Sequence, residues 1–355
     1  MPSVRRRRVS AATGPAARPK VSLALQGGGS HGAFTWGALD ALLDDAELDF
    51  DAVSGASAGA MNAAVFACGF ASGGRAGAQR ALRAFWHDIA ACSRPFGGFG
   101  GGAGTHPLEG FNLASNPWWA AWQAWSQLWS PYQLNPANTN LLRDIVAAHV
   151  DERALRDGPV RVYAAATSVR TGQARIFGGA ELSIDALMAS ACLPNLFQAV
   201  TVDGEAYWDG GYTGNPPLWP LIYRADALDI VLVQLDPLVR ASVPKTAAEI
   251  ADRLNEITFN AGLVAEIRAI AFVQHLVTEN RLDPARYRSM RLHRVADDAA
   301  LAPLDASSKT NNDRDLLESL FTIGRAAGQR FLAEHRGEIG VASSFDLEKI
   351  FLGAR

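Results

Sequence analysis

The sequence predicts an α/β fold: a mostly parallel central sheet sandwiched by helices, followed by a helical C-terminal extension. Three observations carry that expectation. Apolar strand-like segments alternate along the chain with segments of helical period, the order that covers a parallel sheet on both faces. Two glycine-rich turns each stand where an apolar strand meets a helix. The 355 residues, 48% of them hydrophobic, suffice for a large core, built as one extended domain or as a catalytic domain with a helical annex.

Taken in order, a strand over 20–26 contains Val21-Ser22-Leu23-Ala24-Leu25, runs into the turn Gly27-Gly28-Gly29-Ser30-His31-Gly32, and opens a helix at Ala33-Phe34-Thr35-Trp36. A second strand over 50–54 runs into Gly55-Ala56-Ser57-Ala58-Gly59 and opens another helix at Ala60-Met61-Asn62. A further helix is predicted over 75–92. The glycine-rich segment from Pro95 to Gly104 cannot hold regular structure and is expected to be a flexible loop. Next comes a Trp-rich insertion, about 105–135. Asn116 and Pro117 make a helix start, and five of the nine tryptophans fall between Trp118 and Trp129. Positions 118, 122, 125 and 129 share one helical face. Such a helix either roofs the site as packed structure or forms an interfacial lid in peripheral contact with a membrane, because indoles favour the headgroup zone. Both readings supply an apolar wall for an acyl chain.

Helices follow at 139–150 and 183–191, and strands at 160–168, 173–177, 200–208, 228–235 and 288–296. Long helices are predicted at 246–281 and 312–335. These place a basic tail at 1–19, a catalytic domain at 20–240, and a mainly helical extension at 241–355 packed on the same domain. The apolar stretch from Ile257 to Val273 is read as core, as a homodimer surface or as an acyl tunnel wall.

The first turn alone fits two trades. Gly27, Gly29 and Gly32 satisfy the dinucleotide fingerprint, yet the second strand has its acids, Asp49 and Asp51, at the wrong end for a ribose. The same backbone N–H groups could face the oxyanion of an ester intermediate. In the second turn, Gly55 and Gly59 relieve a sharp strand-to-helix elbow and expose Ser57 at the helix start. A serine hydroxyl needs a base. Of seven histidines only His31 belongs to a motif; His149, His275 and His293 read as structural. An aspartate is the better base. Downstream stand Ala189-Ser190-Ala191-Cys192-Leu193-Pro194, then Asp209-Gly210-Gly211, then Asn215-Pro216-Pro217.

The ordered set G-G-G-x-x-G, G-x-S-x-G and D-G-G, with A-S-x-x-x-P and N-x-P around the last, resembles the patatin-like phospholipase family over roughly residues 20 to 220. That resemblance implies a Ser-Asp dyad without histidine, Ser57 matching the nucleophile and Asp209 the base. It implies an oxyanion hole of backbone N–H groups in Gly27, Gly28 and Gly29, with Ala58 a further donor by the elbow rule. His31, Gly32, Gly55, Gly59, Gly210 and Gly211 then support the motifs. Many relatives carry Arg or Lys where this chain has His31, so a cation there depends on pH. The implied activity is hydrolysis of lipid carboxylic esters, with no metal and no cofactor. A short-chain carboxylesterase or polyester-oligomer hydrolase, and a non-catalytic lipid-binding regulatory protein, stand as alternatives.

Charge and cysteine content bound the setting. The first twenty residues hold six basic and no acidic side chains, so removing them takes the formal charge from −3 to −9. An acidic body argues against nucleic acid as partner. Cys68, Cys92 and Cys192 form no disulfide or metal pattern, and no export signal or transmembrane span is read. The cytoplasm is the expected location, with or without peripheral membrane association.

Overall fold

The strands predicted on either side of the glycine turns lie side by side. In the computed structural model, which describes residues 18–353 apart from 93–106, 117, 119–120, 122–124, 126–127, 241–242, 284–285 and 352, eight strands form one mixed sheet. The strands β1 (Lys20–Leu25), β2 (Asp49–Ala56), β3 (Arg161–Ser168), β7 (Asp229–Val233) and β8 (Arg291–Val295) run parallel. The shorter β4 (Ala174–Gly178) and β6 (Glu205–Asp209) pair antiparallel with β3, and β5 (Val200–Val202) pairs antiparallel with β6. The order is β5-β6-β3-β2-β1-β7-β8, with β4 off that path on β3. β1 and β7 are buried almost throughout, as strands covered on both faces must be.

Register positions the site. Leu25 at the end of β1 pairs with Gly55 near the end of β2, so both glycine turns leave the sheet at one carboxyl edge. Ala165 of β3 pairs with Ala56, and its neighbour Ala166 pairs with Asp209, which brings the end of β6 to the same edge. Open α/β sheets bind ligands at that edge.

The segment 200–208, expected as one strand, is a hairpin. Asp203 (φ 50°) and Gly204 (φ 80°) both take positive φ, the condition for a tight two-residue turn that reverses the chain. Helix α1 (Gly32–Asp44) is buried along nearly its whole length, packed against the helices Ala58–Cys92 and Arg314–His335. Contact is close because Gly324 lies against the Phe34 carbonyl, where a Cβ would collide. Helix α2 (Ala58–Cys92) joins the two helices expected here across a break at Gly73 and Gly74.

Thr246 and Glu249 form a capping box for the helix Ala247–Thr278. Its Leu263, Ile267 and Ile270 pack with Ile230, Leu232 and Leu292 in the second core, while Ile250, Leu254 and Phe272 face outward. The reading that no segment could span a membrane needs correction: Glu249–Thr278 is long and apolar enough by composition. In this fold one face of it packs on the domain, where Phe259 abuts Gly211 and Glu266 accepts the Leu218 and Trp219 N–H groups, while only 22% of its apolar window is buried. The basic tail through residue 17, the 95–104 loop, and Trp119 and Trp122 of the Trp-rich helix lie outside the described residues.

Candidate active site

Ser57 stands between β2 and α2 with φ 53°, a left-handed backbone that a serine adopts at a cost of about 1 kcal/mol or more. The fold over-determines that conformation. The Ser57 N–H donates to both the carbonyl and the hydroxyl oxygen of Ser190, each at 3.1 Å, while Ala60 and Met61 N–H groups donate back to the Ser57 carbonyl. Gly55 and Gly59 meet backbone to backbone, and Gly59 also lies against the Leu25 carbonyl. The elbow therefore needs both glycines for close approach, and Ser190 of the A-S-x-x-x-P segment is its latch.

The first turn is clamped from two sides. Asn215 accepts the Gly27 N–H on Oδ1 at 2.6 Å and donates Nδ2–H to the Gly27 carbonyl at 3.2 Å. Buried Gln26 accepts the Leu235 and Asp236 N–H groups on Oε1 and donates to Asn260 Oδ1 at 2.9 Å. This narrows the expected donor set: the Gly27 N–H is committed to Asn215, leaving Gly28, Gly29 and Ala58 as oxyanion candidates. Gly29 has φ +57° and its missing Cβ would strike the Lys309 carbonyl. Gly32 packs against Ala58 and Trp86, so the two turns touch.

Asp209 is completely buried. Its Oδ1 accepts the Gly211 N–H at 2.7 Å, and Gly210 and Gly211 behind it press on the Ala165 carbonyl and the Phe259 ring. Burial raises its pKa from 3.8 to about 6. The Ser57 hydroxyl is the chief influence against that rise, followed by the Gly211 N–H and the Lys309 charge. Oδ2, however, has no partner at full hydrogen-bond distance among the described residues. Such a contact tightens once a substrate is bound.

His31 departs from its expected role. It is buried, its Nε2 lies 2.8 Å from Ser308 Oγ, and its pKa is lowered to about 3 by burial and by the Lys309 and Arg240 charges. It is therefore neutral and offers no pH-dependent cation. The cation at this place is Lys309. Its Nζ pairs with buried Asp236 at 2.7 Å and lies over the Phe259 ring, and its side chain lines the same cavity as Ser57. Nothing in the local sequence around Lys309 marks it, because it comes from the C-terminal region and meets the glycine turn only through folding. Asn260 escapes notice for the same reason, and Gln26, though it directly precedes Gly27, reveals its role only through partners more than 200 residues away.

The cavity in front of Ser57 has a volume of about 460 Å³. Met61, Phe85, Trp86, Ile89, Leu142 and Ile145 form its apolar wall, and Lys309 is its one charged lining side chain among the described residues. His149, His275 and His293 do not line it; they pair with Asp88, Glu279 and Asp229. Cys192 is a buried filler whose thiol donates to the Gln198 carbonyl and is pushed up to about 11 by burial.

A family model described as patatin-like phospholipase matches residues 23–222, which takes in both glycine turns and Asp209-Gly210-Gly211. Among solved structures, the chain is similar to VipD from Legionella pneumophila (15% identity, 86% of this chain and 67% of that one, TM-score 0.37). It is also similar to the heterodimeric ExoU–SpcU complex of the type III secretion system of Pseudomonas aeruginosa (20% identity, 91% and 61%, TM-score 0.31). The chain thus spans about three-fifths to two-thirds of the length of these structures. Curated proteins give no match.

Proposed function

As the chain belongs to the patatin-like phospholipase family, we propose that it is a serine acyl hydrolase of lipid carboxylic esters, of the phospholipase A or lysophospholipase type. One observation carries the reading: a wholly buried carboxylate, one oxygen of which is left without a full hydrogen bond among the described residues, feels the hydroxyl of a serine held in strained backbone at the head of an apolar cavity. Ser57 Oγ attacks the ester carbonyl as its proton passes to Asp209 Oδ2. The N–H groups of Gly28 and Gly29, with Ala58, hold the oxyanion. The carbon–oxygen bond to the alcohol then breaks, and the alcohol leaves with the proton from Asp209. Asp209 next takes a proton from water, whose oxygen attacks the acyl-serine; the fatty acid departs and Ser57 regains its proton.

An aspartate near pKa 4 is a feeble base; burial brings this one closer to working pH. The rate should therefore follow ionised Asp209: kcat/KM rises with pH, is half-maximal near pH 6, and reaches a plateau above about pH 7. Because the Lys309 charge lowers the Asp209 pKa, Lys309→Met should move that midpoint to higher pH. A pH–rate profile on a soluble ester checks both.

In the oxyanion turn, Gly29→Ala places a Cβ against the Lys309 carbonyl in a backbone region hostile to L-residues. We expect kcat to fall by about 10²–10³, the loss typical when one oxyanion donor is displaced. Steady-state kinetics with circular dichroism would separate this from unfolding.

Substrate profiling tests the whole proposal. Fatty acid release from phosphatidylcholine and lysophosphatidylcholine should exceed turnover of a butyryl ester, since the cavity falls within the size range that buries a large apolar ligand. A preference for the butyryl ester would replace it with a short-chain carboxylesterase. Absence of turnover and of fluorophosphonate labelling would leave a lipid-binding protein.

A further inference from the structure

The mouth of the Ser57 cavity is unusual for a surface exposed to water. Leu141 and Leu196 line the cavity yet remain exposed at its rim. Beside them Tyr132 is exposed, and its hydroxyl accepts the Ala199 N–H at 3.3 Å; Gln198 Nε2 donates to the Asn135 carbonyl at 2.7 Å. Two segments far apart in sequence, 131–135 and 196–199, are thereby joined into one edge. The edge continues along the chain into Trp129 and Trp125, both exposed, with ring centroids 6.3 Å apart. Leu128 and Trp118 are 78% and 79% exposed.

The two chain segments that build this edge carry no charge. From Gly110 to Leu142 the chain carries no Asp, Glu, Lys, Arg or His, although such charged residues excluding His make up 19% of the sequence. The facing segment from Ala186 to Val202 has none either. A contiguous exposed apolar patch marks an interaction site. Its electrical neutrality discriminates between partners: an anionic membrane attracts clustered Lys and Arg, whereas this surface offers indole, phenol and aliphatic groups suited to the interfacial zone of any bilayer.

We propose that the rim formed by Trp125, Leu128, Trp129, Tyr132 and Leu196 docks the protein on a zwitterionic lipid surface and sets the cavity mouth against the acyl chains. This rests on the reading of the cavity as a lipid-ester site and adds the surface that presents the ester to it. Docking is driven by apolar burial, so it requires no anionic lipid and is insensitive to salt.

The test uses the full chain as Ser57→Ala, so that vesicles stay intact, in flotation with pure phosphatidylcholine vesicles at low and high salt. Binding at both salt concentrations, with a blue shift of tryptophan fluorescence, is expected. The triple variant Trp125→Ser/Leu128→Ser/Trp129→Ser in the same background should lose at least about tenfold in partitioning. Made with Ser57 intact, the triple variant should retain its melting temperature and its turnover of a soluble butyryl ester, since none of the three lines the cavity. Binding only to phosphatidylserine-containing vesicles, abolished by salt, would overturn the proposal and point to the arginines at 5–8. Unchanged partitioning of the triple variant would also overturn it, as would a concentration-dependent dimer that disappears in that variant while vesicles go unbound. Loss of butyryl ester turnover in Ser57→Ala is read separately: if it fails to occur, the hydrolase reading falls whatever the vesicles show.

Discussion

Ser57→Ala is expected to lower ester hydrolysis by roughly 10⁵-fold or more, to the limit set by binding and oxyanion contacts alone. The substitution is a clean one. Alanine has the same backbone restrictions as serine at φ 53°, and the latch on the Ser57 N–H comes from Ser190 and does not involve the lost hydroxyl. The elbow should therefore persist, with a melting temperature near that of the unaltered protein. Removing the hydroxyl also removes the chief influence holding down the Asp209 pKa, so the carboxyl should titrate at still higher pH. A fluorophosphonate should add to the unaltered protein and not to the variant, as read by intact mass. Turnover of a fatty-acyl ester that survives the substitution would remove Ser57 from the mechanism.

Asp209→Asn should cost about 10²–10⁴ in kcat/KM, the range for loss of a general base, while the amide still fills the buried space. Stability is expected to move the other way. A carboxyl whose pKa is higher in the fold, about 6 against 3.8, contributes favourably below about pH 4 and loses that contribution as pH rises through 6. Asparagine never ionises. At about pH 8 the variant should thus be more stable by on the order of 2–3 kcal/mol, and near pH 4 the two proteins should unfold alike. Denaturant titrations at both pH values check this. An inactive variant that is also less stable at pH 8 would show that Asp209 is a structural carboxylate.

Where these two residues come from separates what was legible in the chain from what was not. G-x-S-x-G announces an elbow because few residue types fit a strand that turns at once into a helix, and the fold places Ser57 there with positive φ. The alternation of strands and helices foretold the sheet for a similar reason: period and apolar run length are local properties. The single strand expected over 200–208 failed at Asp203-Gly204, where turn chemistry overrode a favourable strand composition.

His31 shows the opposite limit. Its identity suggested a group that titrates near neutrality, but burial and the neighbouring Lys309 and Arg240 hold it neutral, and neither cation is near it in sequence. Likewise, Gly27 looked equivalent to Gly28 and Gly29 as an N–H donor until Asn215, 188 residues away, was found to occupy it.

The sequence by itself determined the motifs and the class of fold, since each follows from what neighbouring residues permit the backbone to do, and it nominated Ser57 and Asp209 as the candidate nucleophile and base. Tertiary structure alone decided that the Gly27 N–H is committed to Asn215, which cation lies beside the cavity, and in which direction the Asp209 carboxyl is shifted. Those are properties of burial and of charges brought together across the sheet edge, and electrostatic energies in a dry interior depend on distances that no local pattern encodes.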